Sequence, residues 1–236
     1  MIDVRPAGER LHTKTDWLDS WHSFSFGHHY DAANTHHGLL LVHNDDVVSP
    51  GGGFGTHAHR DMEIVTWVLE GALEHRDSAG NDGVITPGVA QRMSAGTGIR
   101  HSEQNASATE PVHFLQMWVP PDRSVAPGYE QVDITDRLDT DELVALASGR
   151  EPGAGVRLHQ RDATLWVARL DAGATVTVPD APYVHVFVAR GTAELGAAAA
   201  LSAGDAARLT GAGPLSLTAG PAGAEVIVWE THATLA

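Results

Sequence analysis

Short apolar runs broken by glycine-bearing turns recur along most of this chain, and that rhythm restricts it to an all-β fold. Residues 63 to 70 are mostly strand-forming, with Val65, Trp67 and Leu69 on one parity, and Gly71, Gly80, Asn81, Asp82 and Gly83 punctuate the next short runs. After residue 159 the same pattern returns as TLWVARL, ATVTV, YVHVFVARG, AELG, GDAARL, PLSLTA and EVIVWE. Short strands with turns at roughly 8–12-residue spacing point to a β-sandwich or barrel. The two halves also echo each other in order: VTWVLEGALE with VFVARGTAEL, then ITPGVAQRMSAG with LSAGDAARLTG. Such self-similarity is economically read as a duplicated barrel. Between the halves, PPDRSVAPGYEQ is irregular, and TDRLDTDELVALASG reads as a short helix, with Thr140 or Asp141 as N-cap and Gly149 as the stop. The expected organisation is a first barrel over 1–132, a connecting segment with that helix over 133–158, and a second barrel over 159–236.

Composition removes several classes of function. The net charge is −15, and Lys14 is the only lysine. A chain that grips phosphates needs a basic face, and no basic run exists, so direct nucleic acid binding is disfavoured. The chain has no cysteine, which excludes disulfides, thiolate ligands and a cysteine nucleophile together. No run approaches the ~20 apolar residues of a membrane helix, and residues 1–14 hold no signal-peptide core. A soluble, cytoplasmic protein is expected.

Histidine is unevenly distributed. Of fifteen histidines, twelve lie between His12 and His113, leaving His159, His185 and His232 in the second half. Histidine is the commonest metal ligand, so the halves are expected to differ in chemistry. Residues two apart on a strand share a face. His57 and His59 can therefore face one interior, and His101 and Glu103 can do so from another strand. Three imidazoles and a carboxylate suit iron, manganese, nickel, copper or zinc. Glu63 stands as the alternative carboxylate, or as a group that orients the histidines from behind.

The two segments, Gly51 to Gly71 and Gly83 to Asn105, resemble the paired cupin motifs, with eleven residues between His59 and Gly71. The surrounding text resembles the pirin family more closely: HSFSFGHHYD, NDD at 44 to 46, FGTHAHRDMEIVTWVLEGALEH, QRMSAGTGIRHSEQNAS and EPVHFLQMWV. The match covers roughly residues 15 to 132. The resemblance implies two cupin (jelly-roll) barrels in tandem and one divalent metal ion, iron first, with manganese, nickel, copper and zinc as alternatives. It implies His57, His59, His101 and Glu103 as ligands in the first barrel. Aligning Gly191 with Gly71 places Thr177, Pro179 and Tyr183 at the positions of His57, His59 and Glu63, so no metal is expected in the second barrel.

Two functions are implied by the resemblance. One is a dioxygenase of the quercetin 2,3-dioxygenase type, taking a flavonol or a similar small aromatic and O2, with Glu103 as catalytic base. The other is a metal-bearing regulator that acts through a protein partner. Phe24, Phe26 and Phe54 are expected near the cavity mouth. Trp67, Phe114 and Trp118 are expected in the core. His22, His28, His29, His36, His37 and His43 are expected as surface or satisfied core histidines, and Arg60 with Asp61 as a structural ion pair or as solvent-exposed residues.

Overall fold

A computed structural model describes residues 1–235. Three antiparallel-dominated sheets carry the chain. In the first half, a seven-stranded sheet runs in the order Gly128–Asp133, Val89–Ser94, Glu63–Glu70, Val112–Val119, Val42–Val48, Leu18–His22, Leu11–Lys14. A four-stranded sheet, Gly53–His59, Ile99–Asn105, Leu73–Asp77 and Asp82–Ile85, closes over it. Val68 and Phe114 from the larger sheet pack with Leu73 and Ile85 from the smaller one, which shuts that end of the barrel. The second half is a nine-stranded sheet whose longest members, Tyr183–Leu195 and Leu215–Thr231, bend across the barrel.

Strand parity explains how the halves join. On Glu63–Glu70 and Val112–Val119, Val68 and Phe114 face their own barrel. Val65, Trp67, Leu115 and Met117 face the other way, onto Leu165, Phe187, Ile227 and Trp229 of the second half, in one continuous core. A strand buried on both faces loses its polar alternation and reads as an apolar run. Trp67, fully buried, donates its indole N–H to Glu225 Oε1 at 2.8 Å across this junction. Arg169 balances the Glu225 carboxylate at 3.5 Å.

The internal echoes correspond to shared backbone devices. Gly71 and Gly191 sit at φ 80° and 73°. A Cβ at either would stand 2.6 Å from the Pro111 carbonyl or 2.1 Å from that of Gly223. Only glycine satisfies both the positive φ and the close approach. The second interior differs in content. It is filled by aliphatic side chains such as Val176, Val184, Val186, Leu209, Val226 and Val228, and Thr177 points outward to solvent.

The helix expected before Gly149 is not formed. Val144–Ser148 is a buried strand, antiparallel to Ala163–Leu170 and parallel to Val156–Arg157. The local helical element is the 3₁₀ turn Thr135–Arg137, and Asp141 takes φ 55°, a conformation no helix N-cap adopts. The physical reason is that Leu143 to Ala147 is an apolar run of five residues. Periodicity cannot separate a strand from a helix at that length, and an open sheet edge decides the matter. Strands of the second sheet thus begin at Val144 rather than at 159. Ile2–Arg5 also belongs to it, paired antiparallel with Ala206–Thr210. No described helix is long and apolar enough to cross a membrane.

Trp67→Ala should lower the unfolding free energy by about 3–5 kcal/mol in urea titration, the usual cost of emptying a buried aromatic site. A loss within the ~0.5 kcal/mol typical of surface positions would show that this face does not hold the halves together.

Candidate metal centre

The first barrel brings three imidazoles together. Gly53–His59 is the edge strand of the four-stranded sheet and pairs with Ile99–Asn105, placing His57 opposite His101 and His59 opposite Ile99. Between His101 and Glu103 the register slips, and the next pair is Glu103 with Phe54. One extra residue at Gly55–Thr56 makes this a β-bulge, which switches parity along the strand. Phe54 and His57 therefore both reach the cavity despite their odd spacing. The bulge also aims the Gly55 carbonyl at His57, whose Nδ1 lies 2.8 Å from it. That bond leaves His57 Nε2 free.

The ring centroids of His57, His59 and His101 are 4.4–4.8 Å apart, and one nitrogen from each lies within 4.8 Å of the others. Nε2 of His59 and Nε2 of His101 are buried with no hydrogen-bond partner. A buried polar atom left unpaired is costly, and a cation shared by these two nitrogens and the free Nε2 of His57 relieves both buried ones. Burial, followed by the proximity of His57, lowers His59 to about 4. Burial, then the neighbouring histidines, lowers His101 to about 2. Both rings are neutral at physiological pH, the protonation state that ligates a metal. These residues fit a divalent ion.

Glu103 lies beside the trio. Its carboxylate forms a second convergent group with His101 and His75 rather than with His57 and His59. Gln116 Nε2 donates to both of its oxygens at 2.9 Å, and Trp118 Nε1 donates to Gln116 Oε1 at 3.1 Å. Burial raises the Glu103 carboxyl to about 7. Asp46, also buried, accepts the Ser20 hydroxyl. Burial, with the Asp45 and Glu103 charges adding to it, raises Asp46 to about 7 as well.

A cavity of about 260 Å³ opens on this group. Leu18, Phe26, Phe54 and Trp118 give it apolar walls, and Ser20, His22, Asn44 and Asp46 form a polar strip alongside. His22 is tied to Asn44 at 2.8 Å and to Thr13 at 2.9 Å. A larger cleft of about 760 Å³ lies near Arg169 and Arg190, but no group of convergent ligand atoms among the described residues opens on it.

Several expectations change. Glu63 belongs to neither convergent group. It sits on the outward parity of its strand and accepts the His159 backbone N–H at 3.0 Å, so it anchors the second half instead of orienting the histidines. Trp118 lines the cavity rather than the core, while Trp67 and Phe114 are core. Phe24 is 1% exposed beneath Arg208, away from the mouth that Phe26 and Phe54 share. His22 and His28 line the cavity. His43 lies between the two halves against His185, ring centroids 5.2 Å apart, and burial lowers it to about 3. Arg60 and Asp61 form the exposed pair at 3.3 Å. Sequence reasoning missed Asp46, Gln116 and His75 as site residues. Asp46 and Gln116 share cavity-facing parity with their strand neighbours Asn44 and Trp118, a signal available once the sheet's two buried faces are known.

The chain matches the Pirin family model over residues 4–119 and the model for the quercetinase C-terminal cupin domain over residues 145–230. A Mycobacterium tuberculosis (strain H37Rv) relative, provisionally named a quercetin 2,3-dioxygenase, is 57% identical over 99% of this chain and 96% of its own. The Escherichia coli (strain K12) quercetin 2,3-dioxygenase is 48% identical over 68% of each chain. The solved structure of the bacterial pirin YhhW from Escherichia coli in complex with nickel(II) superposes with a TM-score of 0.89 at 36% identity, covering 100% of both chains. With both family models matched, and with the mycobacterial relative and the YhhW structure matching along nearly its whole length, the chain belongs to the pirin family.

Proposed function

We propose that this protein is a metal-dependent dioxygenase of the quercetin 2,3-dioxygenase type. The observation that carries the reading is one cavity in which partnerless imidazole nitrogens, a buried carboxyl and apolar walls meet. The names of the relatives support it. His57, His59 and His101 hold the ion, with iron as the first candidate, and nickel, manganese, copper and zinc as alternatives; Glu103 adjoins them as fourth ligand or base. A divalent ion there supplies a Lewis acid that lowers the pKa of a substrate hydroxyl.

The chain's own residues supply the rest. Phe26, Phe54 and Trp118 enclose a planar aromatic and exclude water from it. Asp46 and Asn44 accept hydrogen bonds from ring hydroxyls on the polar strip. Glu103 takes the proton of the flavonol 3-hydroxyl on a carboxylate oxygen, and Gln116 keeps that carboxylate turned to the cavity. Its raised pKa places the base near neutral pH, where general-base assistance is most effective. The overall reaction consumes one O2 per flavonol, opens the pyrone ring to a depside and releases one carbon monoxide. The oxygen chemistry is confined to the first barrel, because the second interior is packed with aliphatic side chains.

Three measurements test this. Elemental analysis should find one metal per chain; His101→Ala should lose most of it, whereas His113→Ala, whose ring bonds Asp45 at 2.6 Å outside the cavity, should retain it. Equal loss in both variants would remove His101 from the ligand set. Glu103→Gln should fold normally and lose ~10²–10⁴-fold in flavonol turnover; full turnover would transfer the role of base to Asp46. Carbon monoxide should accumulate with quercetin and O2 for the wild type and not for His57→Ala/His59→Ala. No release across the iron, manganese, nickel and copper forms would defeat the enzymatic reading.

A further inference from the structure

We infer that Asp77 and His75 form a buried hydrogen-bond relay that fixes the tautomer and the orientation of His101. The inference rests on the histidine trio being the metal site. His75 and Asp77 lie on Leu73–Asp77, the strand on the other side of Ile99–Asn105 from the His57–His59 strand. Cross-strand pairing puts Asp77 opposite His101 and His75 opposite Glu103, all with inward parity. His75 Nδ1 lies 3.4 Å from His101 Nδ1, and His75 Nε2 lies 3.4 Å from Asp77 Oδ2. The side chains of His75 and Asp77 are 1% and 0% exposed, and Tyr129 covers the His75 ring at 4.7 Å between centroids.

Proton bookkeeping leaves one arrangement for neutral rings. Asp77 Oδ1 accepts the backbone N–H groups of Ala79 and Asn81 at 2.9 and 3.0 Å, and the Asn81 side-chain amide reaches both carboxylate oxygens. Asp77 is thus an acceptor throughout, set in place by its own turn. His75 Nε2 must then be the donor to it, which leaves His75 Nδ1 as an acceptor. His101 Nδ1 must carry the proton that His75 accepts. The lone pair of His101 therefore falls on Nε2, the buried nitrogen that has no protein partner. Ligating histidines are commonly fixed by a carboxylate or carbonyl on the other ring nitrogen, and loss of that partner costs ~10–100-fold in metal affinity. His57 uses the Gly55 carbonyl in this way. His101 reaches its carboxylate through a second imidazole, so His75 is a positioning residue.

The test uses the full-length protein, nickel(II) as probe and chelator competition as the affinity measurement. Long-range ¹H–¹⁵N spectra of the metal-free protein report the His101 tautomer. The wild type should show His101 protonated on Nδ1. His75→Phe should mix the tautomers and weaken nickel binding ~10–100-fold. His75→Gln, whose side-chain oxygen can still accept from His101 Nδ1, should recover most of the affinity and the single tautomer. An Nε2-protonated His101 in the wild type would overturn the inference. So would equal weakening in the Phe and Gln variants, which would reduce His75 to packing. X-ray absorption showing one fewer imidazole on nickel in His75→Gln would also overturn it, by making His75 a ligand. Wild-type nickel binding that survives His57→Ala/His59→Ala would instead defeat the underlying assignment of the metal site, whatever the His101 tautomer.

Discussion

The seven-stranded sheet of the first barrel is buried on both faces, so each of its central strands sends one set of side chains into the cavity and the other into the core shared with the second half. The buried positions of Val42–Val48, Glu63–Glu70 and Val112–Val119 are committed by this alternation. Asn44, Asp46, Gln116 and Trp118 fall on the cavity side. His43, Val65, Trp67, Leu115 and Met117 fall on the other. A slip of one residue would exchange the two sets, placing carboxyls in the apolar junction and the tryptophan in the cavity. The Trp67–Glu225 bond and the shared aliphatic packing therefore protect the site's geometry although they touch none of it.

Within that frame, burial prepares the chemistry before any ligand arrives. Removing imidazoles from water disfavours their charged form, and removing carboxyls from water disfavours theirs. The first effect leaves His59 and His101 as neutral donors. The second holds Glu103 and Asp46 near neutrality, poised to exchange protons. A cation entering the trio would favour the ionised form of the nearest carboxylate. Metal content and proton content of this cavity are thus coupled through Glu103.

Much of this was legible in the sequence, and the exceptions have physical causes. Glycine-punctuated runs pointed to the all-β architecture, and the paired positions of Gly71 and Gly191 carried the duplication. Strand parity put His57 with His59 and His101 with Glu103, and the resemblance to the paired cupin motifs joined the two pairs. Phe54, expected near the mouth, reaches it only because the bulge at Gly55 breaks that parity, which nothing local in FGTH announces. Glu63 stood as the alternative to Glu103 because it is the glutamate of the first cupin-like motif, but its strand belongs to the opposite sheet and turns it towards His159. Val144–Ser148 was ambiguous because so short an apolar run has no resolvable period, and only an available sheet edge made it a strand. Trp118 reads as core by residue type; the gap that it borders is a property of the assembled barrel. His75 was hidden for a similar reason, since its partners come from a neighbouring strand and a turn.

The pairing of Ile2–Arg5 with Ala206–Thr210 has a consequence for how the molecule is made. The Thr210 backbone N–H donates to the Met1 carbonyl at 2.9 Å, 209 residues back along the chain. At ~5–20 residues per second on the ribosome, the first strand waits roughly 10–40 s for its partner to be synthesised. In the folded molecule it pairs with no strand of the first barrel. The strand remains an unpaired tether until the second barrel arrives. Its capture is a late, long-range closure of the kind that slows folding, and it clasps a strand that precedes the first barrel onto the second.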